Sequence, residues 1–514
     1  MSKFDDVVSF IKKPFAANWA EEGKAKFEEY LSSGDRYQTK TYKKDGKGLI
    51  AIRNPGTDIK QGVPYLGLVQ PDAAPSGSYD GTSFVLFPSR KGASLITLCV
   101  GTEGMGVDAE VLSRPGHARK LGAIAEYLNK KYAHNGKRVA WAKKDPCAIE
   151  RPLPETLLAE IIDDDEDYES AIGKQSRYNP LVYFVVNTKI ISDEGLKSAL
   201  LMVMDLFVEA RGSLCIAACK TGPLGSETFK ASYFKFLFPD LTLDAVMAVL
   251  KTRKYVIIQG PPGTGKTTTA LDVAEKLGKH AKSIQFHPNM TYEQFIGGLF
   301  PVPNEGGFGF KFAPRPGILM ECAAAAKGMK DGAPYLLHID EINRADLSRV
   351  LGETISLFEP KSKQHRSMVL PFNFGAGYGD CLDIPDNLYV LGTMNTADKS
   401  IAPIDIAIRR RFAFLDLYPQ ISVVEERYNK DNNNLALRAF VRLMEIFVDF
   451  ATQESFKYMP GHSYFLSTDN EEFKRMLRTE LIPLLQEYLD QGLVASMAAE
   501  IEDYIQSCRL ISNL

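Results

Sequence analysis

The 514-residue chain has no apolar run long enough to span a bilayer; its longest, Ala199 to Val208, is short and interrupted by Asp205. Met1 to Lys13 mixes charged and apolar residues without an extended apolar core, so no leader is expected. Seven cysteines are scattered along the sequence. Only Cys215 and Cys219 lie close together, and a lone C-x-x-x-C reads as two buried thiols rather than half a metal site. These absences predict a cytoplasmic, reduced protein with no membrane partner. A net charge of -3 argues against a wholesale nucleic-acid coat while leaving room for a local basic patch. There is no internal repeat, no paired-carboxylate-plus-lysine cluster of the kind a nuclease uses, and no N-K-x-D guanine motif at a suitable place. What remains is an ordinary globular composition, 45% hydrophobic and 24% charged, in a chain long enough for about three domains.

The most informative segment is Gly260-Pro261-Pro262-Gly263-Thr264-Gly265-Lys266-Thr267, directly behind the apolar, β-branched run Tyr255 to Gln259. A G-x-x-x-x-G-K-[ST] loop binds phosphate only between a strand and a helix, and Thr268 to Leu277, free of Gly and Pro, supplies the helix. Glycines let backbone N–H groups curl round a triphosphate, and the helix N-terminus adds a favourable dipole. Lys266 is expected on the β- and γ-phosphates, the Thr267 hydroxyl on Mg²⁺, and Thr268 among the nucleotide contacts.

Downstream, the strand Tyr335 to Ile339 delivers Asp340 and Glu341, the Walker B arrangement. Asp340 is expected to hold Mg²⁺ through water and Glu341 to polarise the attacking water; the alternative is a surface acidic pair. The next strand, Leu388 to Gly392, leads into Met394-Asn395, where the amide can reach the γ-phosphate and the lytic water. Arg409, Arg410 and Arg411 then precede a fifth strand, Phe412 to Leu417. Three consecutive arginines cannot all reach one phosphate of their own subunit, so Arg410 and Arg411 are candidate fingers for a neighbouring subunit's nucleotide. The alternative is a solvated basic turn.

With these motifs in place, the chain resembles the AAA+ motor subunit of McrB-type restriction systems over about residues 240 to 490. The marks are Ile284 to Gly298 (I-Q-F-H-P-N-M-T-Y-E-Q-F-I-G-G), D-E-I-N-R-A-D from Asp340, M-N-T-A-D-K-S from Met394, and G-H-S-Y-F from Gly461. Phe308 to Gly317 also resembles that clade's hairpin insertion. The resemblance implies an α/β P-loop AAA+ core with a five-stranded parallel sheet in order 5-1-4-3-2, and an α-helical lid. It implies a homohexameric ring with nucleotide at the interfaces, a separate McrC-like nuclease partner, DNA translocation, and GTP favoured over ATP. It adds Arg344 as a second interface contact to phosphate and Asp398 among the nucleotide contacts. It assigns His287 to a local turn rather than to base catalysis. Lys399 stands where the family usually has Arg. The runner-up resemblance is to MoxR-like AAA+ ATPases that remodel protein complexes, which normally lack the Y-E-Q-F-I-G and G-H-S-Y-F marks.

The expected domains are residues 1–235, an α+β target-recognition region with a sub-boundary in 150–178; residues 236–420, the core; and residues 421–514, the lid. Residues 1–150 hold about 23 Lys/Arg against about 17 Asp/Glu, compatible with phosphate contact. DNA, modified or not, is therefore the expected target. Asp163 to Asp167 reads as a solvated acidic linker, and Arg114 to Lys120 as a solvated loop opening a helix. Trp19 and Trp141 read as core residues rather than walls of a base pocket. Pro75 to Gly81 reads as a turn entering a strand or an exposed recognition loop. The segment from Phe238 to Val246 is expected to cover the nucleotide base.

Overall fold

The computed structural model describes residues 2–54, 63–72, 81–101, 109–133, 136–145, 165–172, 181–212, 226–278, 280–304, 308–359, 366–375, 377–398, 404–427 and 435–512. Cys215, Cys219, Lys399 and most of the Pro75 to Gly81 segment lie outside these residues. The chain divides into two compact units, Met1–Phe238 with Val448–Thr452, and Pro239–Phe447 with Gln453–Leu514. No helix among the described residues is long and apolar enough to cross a membrane.

The first unit is built on a six-stranded antiparallel sheet, with β1 (Ala51–Arg53), β2 (Leu66–Val69), β3 (Thr82–Ser89), β4 (Gly92–Val100), β5 (Ala140–Ala142) and β6 (Leu181–Val186) in the order β1-β2-β3-β4-β6-β5. Every residue of β3 is buried, because alternate side chains serve two different cores. Phe84 and Leu86 face helices Trp19–Ser32, Pro115–Tyr132 and Asp193–Ala210, whereas Val85 and Phe87 pack with Tyr168 and Ile172 of helix Glu166–Ile172. Trp19 is a core residue, its ring 5.0 Å from that of Phe10, and Trp141 is partly buried against the second core.

Two expectations for this unit fail. Asp165 of the acidic run is buried, not solvated: it accepts from Ser89 Oγ at 2.6 Å, pairs with Lys189 and caps the helix it precedes through the N–H of Asp167. Asp167 likewise pairs with Arg90 at 2.6 Å. The Arg114 to Lys120 run is helical from Pro115, and Arg119 donates to the carbonyls of Val448 and Ala451 at 2.6 Å. In both cases the charges find partners that are distant in sequence, so a local pattern could not expose them.

The second unit carries a five-stranded parallel sheet of β7 (Tyr255–Gly260), β8 (Ala281–Gln285), β11 (Tyr335–Asp340), β14 (Leu388–Asn395) and β15 (Ala413–Asp416). Its order, β15-β7-β14-β11-β8, is the 5-1-4-3-2 order expected. Val256 and Ile258 pack on helices Leu243–Arg253 and Lys266–Leu277, while Tyr255 and Ile257 face the core that includes helix Ile318–Lys327. Two antiparallel ribbons are inserted, β9 (Gly297–Pro303) with β10 (Phe310–Pro316), and β12 (Ser367–Val369) with β13 (Cys381–Asp383). The first is the insertion that Phe308 to Gly317 announced. Its register places Leu299, Pro301, Pro303, Phe310, Phe312 and Pro314 on one face, all of them exposed.

The remaining helices include Leu435–Phe450, which buries Phe440, Leu443 and Phe447 along one stripe, and Ala498–Ser512. Between helices Asn470–Met476 and Ile482–Asp490 lies a wide turn, Leu477–Leu481, where Ile482 N–H reaches back to Leu477 O. Pro483 follows at once. It has no N–H and would crowd the preceding turn in a regular helix.

Candidate nucleotide-binding site

At the end of strand β7, position 260 must be glycine: a Cβ there would lie 2.2 Å from Leu417 O. Gly263 and Gly265 take φ of +77° and +78°, the left-handed region that glycine alone enters without strain. Lys266 opens the following helix, buried to 8% exposure, and donates to the carbonyls of Gly260 at 3.1 Å and Pro261 at 2.7 Å. Burial pulls its ammonium down to about 8, partly opposed by Asp340, Asp398 and Glu341. Thr264 ties the loop by donating to Pro261 O at 3.0 Å.

Parallel pairing of β11 with β14 and β8 brings the other groups to the same sheet edge. Thr267 Oγ1 lies 3.2 Å from Asp340 Oδ1, and Thr393 Oγ1 also donates to Asp340. Glu341 has φ +49° and ψ +46°, unusual for a non-glycine residue, and its N–H donates to Thr393 Oγ1 at 3.3 Å. A cavity of about 310 Å³ is lined by Pro262, Gly263, Gly265, Lys266, Thr267, Thr268, Asp340, Glu341, Thr393, Met394 and Asn395. A basic loop at one wall and carboxylates at the other suit a triphosphate with a divalent cation. Thr267 and Asp340 offer hard oxygen donors at the right separation for Mg²⁺, which takes its remaining ligands from phosphate and water. When bound, such an ion draws charge off the phosphate oxygens.

Asn395 stands at the end of β14, with Asn343 Nδ2 donating to its carbonyl at 3.1 Å. Arg344 is exposed but paired: its Nε is 2.6 Å from Glu341 Oε2 and its Nη2 3.6 Å from Asp398. Asp398 lies beside Arg344, and its charge also acts on Lys266. The three arginines are sorted by their surroundings. Arg409 lies over the Phe414 ring at 5.1 Å, Arg411 is tied to Ala407 O at 2.9 Å, and Arg410 is exposed with no partner among the described residues. His287 is exposed at the start of a turn, its carbonyl accepting Met290 N–H at 2.9 Å. Helix Leu243–Arg253 follows Thr242, whose side chain caps it, and packs beside helix Lys266–Leu277 through Lys276 and Asp244.

Three contributors were not foreseen. Gln285 Nε2 donates to Glu341 Oε2 at 2.9 Å, a contact set by the register that pairs Gln285 with Asp340. Thr393 buttresses the Asp340-Glu341 turn. The G-H-S-Y-F segment closes on the phosphate loop, with Gly461 N–H on Pro262 O at 2.9 Å and Ser463 N–H on Gly263 O at 3.0 Å.

A phosphate loop, a Walker B pair and this strand order together define a P-loop nucleotide-binding module of the AAA class. The family model for the AAA domain (dynein-related subfamily) matches residues 255–412, and that for the McrB alpha-helical lid domain matches residues 457–491. Among curated relatives, the type IV methyl-directed restriction enzyme EcoKMcrB subunit of Escherichia coli K12 is 34% identical over 270 residues, 49% of this chain and 57% of that protein. The type II restriction enzyme BsuMI component YdiS of Bacillus subtilis 168 is 29% identical over 221 residues, 35% of this chain and 61% of that protein. The chain thus spans less than two thirds of the length of either relative. Its second unit is a McrB-type AAA+ module.

Proposed function

We propose that the chain is a nucleoside-triphosphate hydrolase that works as the ring-forming motor of a restriction complex. GTP is the favoured substrate and ATP the alternative. The reading rests on the convergence, in one cavity, of Lys266 and the loop N–H groups with Asp340, Glu341 and Asn395. Lys266 would pair with the β- and γ-phosphates, Thr267 and Asp340 would hold Mg²⁺, and Glu341 with Asn395 would align the lytic water. Arg410, beside the 68%-exposed Ile406, would complete the site of a neighbouring copy. Arg411 is tied within its own chain and takes a supporting part. Both relatives belong to restriction enzymes, which supports a restriction setting, and the methyl-directed character of the Escherichia coli one supports a methylated DNA target, which the first unit would select. Cleavage would fall to a separate nuclease subunit.

The test is steady-state turnover of GTP and ATP, with and without a nuclease subunit from a neighbouring gene, for wild type, Lys266→Ala and Glu341→Gln. Turnover lost in both variants and stimulated by the partner supports the motor. Unchanged hydrolysis in both variants refutes the site.

A further inference from the structure

His462 is the buried centre of the lid segment that closes on the phosphate loop. The segment and loop interlock through glycines. A Cβ on Gly461 would lie 2.1 Å from Gly263 C, and one on Gly263 would lie 2.4 Å from Ser463 Oγ and 2.8 Å from the Tyr464 ring. With Gly461 N–H on Pro262 O and Ser463 N–H on Gly263 O, the backbone on either side of His462 is fixed to the loop.

The imidazole is thereby held in one orientation. Its Nδ1 accepts the backbone N–H of Gln420 at 3.2 Å, which leaves the proton of the neutral ring on Nε2. Burial holds the ring's pKa down at about 4, so the neutral form prevails near pH 7. Nε2 faces Gly265: it lies 3.7 Å from where a Cβ of that glycine would be. Gly265 is the left-handed residue immediately before Lys266, and it lines the nucleotide cavity. Unlike Nε2 of His117 and His338, this nitrogen is not sealed in the interior, and it has no protein partner among the described residues.

We infer that His462 is a nucleotide-positioning residue of the lid, donating its Nε2–H to an oxygen of the bound nucleotide's phosphate chain and so tying lid position to phosphate occupancy. This rests on the phosphate-loop reading above. A neutral donor suits the place, since Lys266 already supplies the charge and a second buried cation would need its own partner.

Two substitutions separate this role from a structural one. In His462→Gln the side-chain amide N–H falls near the imidazole Nε2 position. In His462→Asn the shorter side chain can still accept from Gln420 but falls short of the loop. Affinity for a fluorescent GTP analogue is measured by titration, with inorganic tripolyphosphate as competitor. His462→Ala and His462→Asn are expected to bind both probes about tenfold or more weakly, as for loss of a hydrogen bond to a charged acceptor, with His462→Gln close to wild type. Wild-type affinity in all three variants overturns the inference. So does recovery by Asn but not Gln, which would place the function in the Gln420 contact. Loss of the nucleotide alone, with tripolyphosphate unaffected, would overturn the phosphate assignment. Lys266→Ala is the control. If it too binds as wild type, the phosphate-loop reading itself is wrong; if it alone loses binding, only the role of His462 is.

Discussion

The side-chain amide of Gln285, at the end of β8, donates a 2.9 Å hydrogen bond to the carboxylate of Glu341. Arg344 grips the same oxygen, Oε2, at 2.6 Å. With both donors on Oε2, Oε1 is left to align or deprotonate a water, and the two donors lower the basicity of the carboxylate that must do so. Gln285→Ala is therefore expected to raise basal turnover a few-fold (on the order of the cost of one hydrogen bond) with nucleotide affinity unchanged. Glu341→Gln should lower turnover by about 10²–10⁴ while binding persists. Single-turnover assays beside equilibrium binding check both, and unchanged turnover in Gln285→Ala would mean the amide does not restrain Glu341.

The arginine run makes a prediction that its composition alone could not. Arg410 is exposed and has no partner among the described residues, Arg409 is stacked on Phe414, and Arg411 bonds Ala407 O. Arg410→Ala should cost about 10³-fold or more in turnover with little effect on stability, as for a finger supplied in trans. Arg411→Ala should mainly lower the melting temperature. Mixing Arg410→Ala with Lys266→Ala subunits should restore part of the turnover, because one of each mixed interface pairs an intact loop with an intact finger. Failure of every mixing ratio would place the finger's action within its own chain.

The nucleotide site was legible because its parts are local. The loop needs glycines at fixed offsets, and a buried strand must carry Asp340 and Glu341 to its end. The groups that sequence did not reveal, Gln285, Thr393 and His462, act across the sheet register or through the lid, between residues far apart in the chain. In the first unit the difficulty was different. Strands β3 and β4 are buried on both faces, so they lack the polar alternation that marks a half-exposed strand, and their pairing into one six-stranded sheet left no periodic trace. The acidic run misled for a related reason: Asp165 is buried because Lys189 and Ser89, distant in sequence, neutralise and bond it.

His117 predicts acid sensitivity in the first unit. Burial, then the nearby charges of Lys120 and Arg114, hold its pKa down at about 4, against about 6.5 for an unfolded chain. Its folded pKa is the lower one, so its contribution to stability is full above pH 6.5. As pH falls from 6.5 toward 4 the unfolded state takes up the proton first, and roughly 3 kcal/mol is lost. Urea unfolding at pH 7 and pH 5 should show about 2 kcal/mol of this loss in wild type and less of it in His117→Phe. The substitution suits the site because Nε2 is buried with no partner to forfeit among the described residues. Parallel losses in the two proteins would acquit His117.

Lys266 makes the nucleotide affinity itself depend on pH. Burial brings its ammonium down to about 8 in the free protein, with its Nζ resting on the carbonyls of Gly260 and Pro261. Triphosphate favours the charged form, so binding raises this pKa. Below pH 8 the lysine is already protonated and affinity should be flat. Above it, each binding event must also take up a proton, and affinity should fall toward tenfold per pH unit. The nucleotide's terminal phosphate is ionised throughout this window and adds no slope of its own. Lys266→Arg keeps its charge at any such pH; it should bind more weakly, because a planar guanidinium fits the loop poorly, yet without the alkaline decline. Titration of a fluorescent nucleotide between pH 7 and pH 9.5 reads both curves. A wild-type affinity that stays level to pH 9.5 would mean that the ammonium is not desolvated before phosphate arrives.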